Sequence, residues 1–72
     1  MRSREVQSEV DRDPFVPFRL HLVSGKTQDV RRSHEVWMLR NSVLLIRRKP
    51  GAGEAYNIIS LSAIERLERV ST

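Results

Sequence analysis

The chain has no cysteine. Disulfide staples, thiolate metal sites and cysteine nucleophiles are excluded together. It has two histidines, too few for a histidine-built zinc site unless carboxylates complete it. Aromatic residues are scarce: one tryptophan, one tyrosine and two phenylalanines. No unbroken apolar run exceeds four residues, as in Val43-Leu44-Leu45-Ile46, far too short to cross a bilayer. The N-terminal charges are not followed by an apolar stretch, so a signal peptide is not expected, and no lipidation pattern appears. The expectation is a cytoplasmic chain with no membrane partner. At 72 residues it makes one small domain, hiding only roughly 60% of its unfolded surface, so the core is thin.

What is present is charge, unevenly spread. Residues 1–13 carry Arg2, Arg4 and Arg12 against Glu5, Glu9, Asp11 and Asp13. Residues 26–49 carry Lys26, Arg31, Arg32, Arg40, Arg47, Arg48 and Lys49 against only Asp29 and Glu35. The basic excess sits mid-chain. Most of the cations are arginine, whose planar fork suits phosphate and carboxylate better than an ammonium does.

Along residues 1–13, Val6 and Val10 share one side of a short helix, with a flexible arm as the alternative. Asp13-Pro14 ends it, because the residue before proline avoids helical geometry. Residues 14–72 read as the folded domain. Phe18, Leu20 and Leu22 alternate with Arg19 and His21, the period-two pattern of a strand with one buried face. Ser24-Gly25 marks a hairpin turn into a more polar return strand, Lys26 to Arg31, suited to a sheet edge. After the polar break Arg31 to Glu35, Val36 to Leu39 forms a strand with Val36 and Met38 on one face and Trp37 and Leu39 on the other. Val43 to Arg48 is the strongest strand, apolar on both faces. Lys49 to Glu54 is a loop, and Ala55 to Leu61 a further strand. For the tail two readings compete. Ser62-Ala63-Ile64-Glu65 fits a capping box that opens a helix. A short turn at Ser62 to Ile64 followed by a closing strand from Glu65 to Val70 is preferred. The fold class expected is mainly β: a short N-terminal helix and a five-stranded bent antiparallel meander forming a small barrel.

The run Pro14-Phe15-Val16-Pro17-Phe18-Arg19-Leu20-His21-Leu22-Val23-Ser24-Gly25-Lys26 resembles the opening of a group of short bacterial proteins that begin with a brief helix, a paired Pro-Phe motif, an apolar strand and a glycine turn. The resemblance continues through Val30, Ser33-His34-Glu35 and Ile59 to Leu67 and implies a fold rather than an activity. At a coarser level the pattern is similar to the SH3/Sm-like barrels of the Hfq type. There Leu22-Val23-Ser24-Gly25 matches an apolar strand ending in a glycine turn, and Ala63-Ile64 the turn into the closing strand. That family carries a Lys-His pair before the Ala-Ile, where this chain has Leu61 and Ser62. The family's uridine pocket is therefore not carried over.

No nucleophile, base and orienting group can be named together, so the chain is not read as an enzyme. His34-Glu35 reads as a polar loop rather than a metal site, and no cofactor is implied. Gly51-Ala52-Gly53 beside Arg47-Arg48-Lys49 lacks the Lys-Ser/Thr ending of a P-loop. The best functional signal is the basic set Arg31, Arg32, Arg40, Arg47, Arg48 and Lys49, drawn from neighbouring segments of the meander. Such a cluster attracts phosphate backbones, and single-stranded RNA is the expected partner; a solvated surface is the plain alternative. Trp37 is expected in the core, with stacking on a base as the alternative. Phe15 is the candidate contact for a protein partner. The competing function is an interaction or self-assembly module, a homo-oligomer built through an open strand edge.

Overall fold

The computed structural model describes residues 1–49, 51 and 53–70; for Arg48, Lys49 and Glu54 it describes the backbone only. The chain runs α1 (Ser3–Val10), β1 (Phe18–Leu22), β2 (Thr27–Val30), a single 3-10 turn (Ser33–Glu35), β3 (Val36–Met38), β4 (Ser42–Lys49), β5 (Gly53–Ser60), a second 3-10 turn (Leu61–Ala63) and β6 (Ile64–Arg69). All strand pairs are antiparallel, in two three-stranded sheets of order β2-β1-β6 and β3-β4-β5.

The expected mainly-β fold with one short N-terminal helix is present, with six strands rather than five. Among the described residues no ladder joins the two sheets into a closed barrel. The reason is local. The chain passes between sheets twice, and each passage is a 3-10 turn that interrupts the strand pairing. At the first, the Glu35 carboxylate accepts the backbone N–H groups of Arg31 (2.9 Å) and Arg32 (3.3 Å), holding the chain out of the strand path. At the second, the Ser62 capping-box reading gives way to one turn. Ile64 enters β6, which pairs with β1 from Leu22↔Ile64 to Phe18↔Arg69, so the closing-strand reading of the tail is the observed one.

The hairpin between β1 and β2 turns through Val23, Ser24 and Gly25, with the Leu22 N–H donating to the Lys26 carbonyl at 2.9 Å. Gly25 has φ +92°, a region costly for any residue with a Cβ. As expected from its polarity, β2 is an edge strand.

Among the described residues nine apolar side chains form the core: Val6, Phe18, Leu20, Val30, Val36, Val43, Leu45, Leu61 and Ile64. They come from the helix, from the inner side of both sheets and from the second 3-10 turn. Each fully buried side chain of this kind contributes about 1.5–3 kcal/mol, so so small a core leaves little reserve. Helix α1 is fixed to it by Val6, fully buried, and by Glu9, whose carboxylate meets Arg69 of β6 at 2.8 Å.

One expectation is corrected here. Trp37 is not in the core. It lies 61% exposed, while Val36 beside it is buried and Met38 packs against the core. The period-two reading of β3 was sound, and the outward side took the tryptophan. Phe15, the candidate partner contact, is half-buried, its ring 5.9 Å from that of Phe18 and packed against the core.

Candidate functional site

The site with the greatest concentration of arginine lies where β2, the first 3-10 turn and β4 meet. A cleft of about 300 Å³ is lined by Asp29, Arg31, Arg32, His34, Glu35, Ile46 and Arg47. Three of the six basic residues expected from the sequence therefore converge. Arg31 and Arg32 leave the end of β2, and Arg47 arrives from β4, where it donates through Nη2 to Gln28 Oε1 at 3.0 Å. That bond crosses from one sheet to the other and sets the Arg47 head at the cleft.

Two carboxylates share the cleft, and both are engaged. Asp29 receives a forked contact from Arg19, at 2.7 Å from Nε and 3.4 Å from Nη2. This hydrogen bonding holds the Asp29 carboxyl below its usual range; its partial burial opposes the effect, and the nearby charges of Arg19, Arg31 and Arg47 add to it. Glu35 is spent on the backbone N–H groups of Arg31 and Arg32. With the acids so committed, the guanidinium groups of Arg31 and Arg32 donate to no protein acceptor among the described residues, and both residues are exposed. Cations whose donors are unused beside a concave surface are the arrangement that accepts an oxyanion, and arginine does so in bidentate fashion. A second, more apolar groove of about 460 Å³ shares Asp29 and Arg31 with the cleft and runs past Pro17, Phe18 and Val70.

Arg40 is not gathered there. Arg40 lies in the turn between β3 and β4, and about 17 Å of strand separates Ser42 from Arg47. Arg48 and Lys49 continue β4 beyond Arg47, in register with Glu54 and Gly53; their side chains lie outside the described residues. The glycine loop includes Pro50 and Ala52, which also lie outside them. His34 lines the cleft, but among the described residues no three His, Cys, Asp or Glu side chains gather as a metal site.

What the sequence reading missed is the outer face of the second sheet, where Trp37, Tyr56 and Ile58 are all more than half exposed. The signal was available. Strand β4 is apolar on both faces over Val43 to Ile46, and among the described residues the one helix, of eight residues, packs on the inner side.

Among the described residues no helix is long and apolar enough to cross a membrane. Comparison with known proteins gives no relative to reason from: no family model, no curated protein and no solved structure matches the chain.

Proposed function

We propose that the chain is a non-catalytic binding domain that holds single-stranded nucleic acid, RNA in the first instance, by its phosphates. The observation that carries this reading is the convergence of Arg31, Arg32 and Arg47 on one cleft whose two acids are already bonded elsewhere. Arg31 and Arg32 would meet phosphate oxygens, and Arg47, braced by Gln28, would meet a third or the same one. The adjoining apolar groove offers a place for a base or sugar. Contacts of this kind give affinity without sequence readout. The six strands around one core are compatible with a small SH3/Sm-like barrel whose corners are the two 3-10 turns, an architecture suited to such a role.

The test is fluorescence anisotropy of labelled mixed-sequence RNA at two salt concentrations. Three neutralised phosphates give a salt slope of about −2, so binding weakens roughly fifteen-fold between about 50 and 200 mM salt. The doubly substituted Arg31→Glu, Arg32→Glu protein should lose binding while keeping its fold, since both side chains are exposed and neither donates to an acceptor among the described residues. No binding at low salt, or undiminished binding by that variant, overturns the reading.

A further inference from the structure

The two sheets present opposite kinds of outer surface. On the first, the outward side chains are polar and paired: Arg19 with Asp29 at 2.7 Å, His21 with Glu68 at 2.8 Å. On the second, the register sets Trp37 beside Leu44 and Leu44 beside Ile58, and in the next row Ile46 beside Tyr56. Trp37 is 61%, Tyr56 57% and Ile58 67% exposed, with Leu44 and Ile46 half-buried between them. The neutral pair Ser42–Ser60 closes the face at one end and the Arg48–Glu54 register pair at the other. No charged residue falls in the rows between. Helix α1 packs on the inner side through Val6 and leaves this face exposed.

We propose that a second copy of the same chain covers it, in a two-fold dimer packed sheet against sheet. Three observations choose that occupant. The first is area. With large aromatic side chains at about 150–250 Å² each, the face exposes on the order of 500 Å² of apolar surface. Two such faces and their rims come to about 1,000–1,200 Å², the lower bound of a specific interface. The second is charge. Nucleic acid or an anionic surface would need cations within the rows, and among the described side chains there are none; the exposed Arg31 and Arg32 lie beyond Ile46, at the cleft that this residue also lines. A neutral apolar face is complementary to itself, which an isologous contact requires. The third is register: the row Trp37–Leu44–Ile58 is centred on Leu44, so a two-fold axis along β4 through Leu44 would set Leu44 on its own copy and each Trp37 over the other copy's Ile58. A domain with a nine-residue core also gains folded-state stability from such burial.

Sedimentation of the wild-type chain from about 5 to 500 µM, a span suited to a modest interface, tests this. The expected result is a rise from monomer to dimer mass, with Trp37 emission moving to shorter wavelength over the same concentrations. Raising the salt should leave the dimer intact, and Arg31→Glu, Arg32→Glu should dimerise as the wild type does, which separates this inference from phosphate binding at the cleft. Ile58→Lys, at an exposed position that cannot harm the core, should stay monomeric with an unchanged far-UV spectrum. A wild type that is monomeric at the highest concentration overturns the proposal. So does an Ile58→Lys protein that dimerises as tightly as the wild type, which would place the contact at a strand edge. So does Trp37 emission that shifts only on adding RNA or lipid vesicles.

Discussion

Glu9, near the end of the N-terminal helix, and Arg69, the last residue of β6, form a forked ion pair across sixty positions of sequence, with Arg69 Nη2 and Nε donating at 2.8, 3.1 and 3.2 Å. The two are unequally placed. Glu9 is 8% exposed, while the Arg69 side chain is 54% exposed. Removing the arginine leaves a carboxylate buried with only the longer Arg12 contact, at 3.4 Å. Removing the carboxylate charge leaves a guanidinium that water can solvate. Arg69→Ala should therefore lower the thermal midpoint more than Glu9→Gln, which is expected to cost about 1 kcal/mol. Paired thermal melts of the two variants check the order.

Acid should destabilise the fold through the same groups. The Arg69 hydrogen bonds hold Glu9 below the ordinary glutamate value of 4.5, against the opposing effect of burial. Arg19 does the same for Asp29, and His21 for Glu68. A lowered folded pKa means that the unfolded chain takes up protons first. The stabilisation is complete above the unfolded values and disappears as pH falls through the folded ones. The melting midpoint should hold near neutrality and drop steadily below about pH 4.5. Glu9→Gln should shrink that drop, and a midpoint rising with acid would contradict the assignment.

The cleft makes a positional claim that a diffuse basic surface does not. Arg31→Ala and Arg47→Ala should each weaken RNA binding and reduce the salt slope by about 0.7, the value of one phosphate on a single strand. Arg40→Ala, at the far end of the β3–β4 hairpin, should change the slope by much less. Equal effects from all three would mean that net charge, not the cleft, attracts the nucleic acid.

Periodicity made much of this fold legible. Phe18 and Leu20 inward with Arg19 and His21 outward follows from alternation alone, and Gly25 in its turn follows from the need for positive φ. The closing strand of the tail was legible as the element that seals a sheet edge, and β6 pairs along β1. Trp37 was misplaced because a tryptophan in a small domain is usually an apolar filler, whereas alternation with the buried Val36 left it no route inward. The split into two sheets was not legible, because the side-chain cap by Glu35 that lifts Arg31 and Arg32 off the strand path is a contact in space. For the same reason the meeting of Arg31 and Arg32 with Arg47 at one cleft was not legible, nor was Arg40 at the other end of a hairpin.

Leu45 and Trp37 give the sharpest contrast between the two sides of one sheet. Leu45 pairs in register with Val36, points inward and is 1% exposed; Trp37, the next residue along β3, is 61% exposed. Leu45→Ala removes buried methyl groups and leaves a cavity, and should cost about 3 kcal/mol, enough to unfold much of a domain this small. Trp37→Ser should cost within about 0.5 kcal/mol in the dilute monomer, where the ring faces water. Denaturant melts at low and high protein concentration separate the contributions. The Leu45→Ala penalty should be present at both. The Trp37→Ser penalty should grow with concentration, because only the wild type then gains stability by association. A Trp37 penalty that is large and independent of concentration would place the ring's contribution within the single chain and count against the sheet-on-sheet dimer.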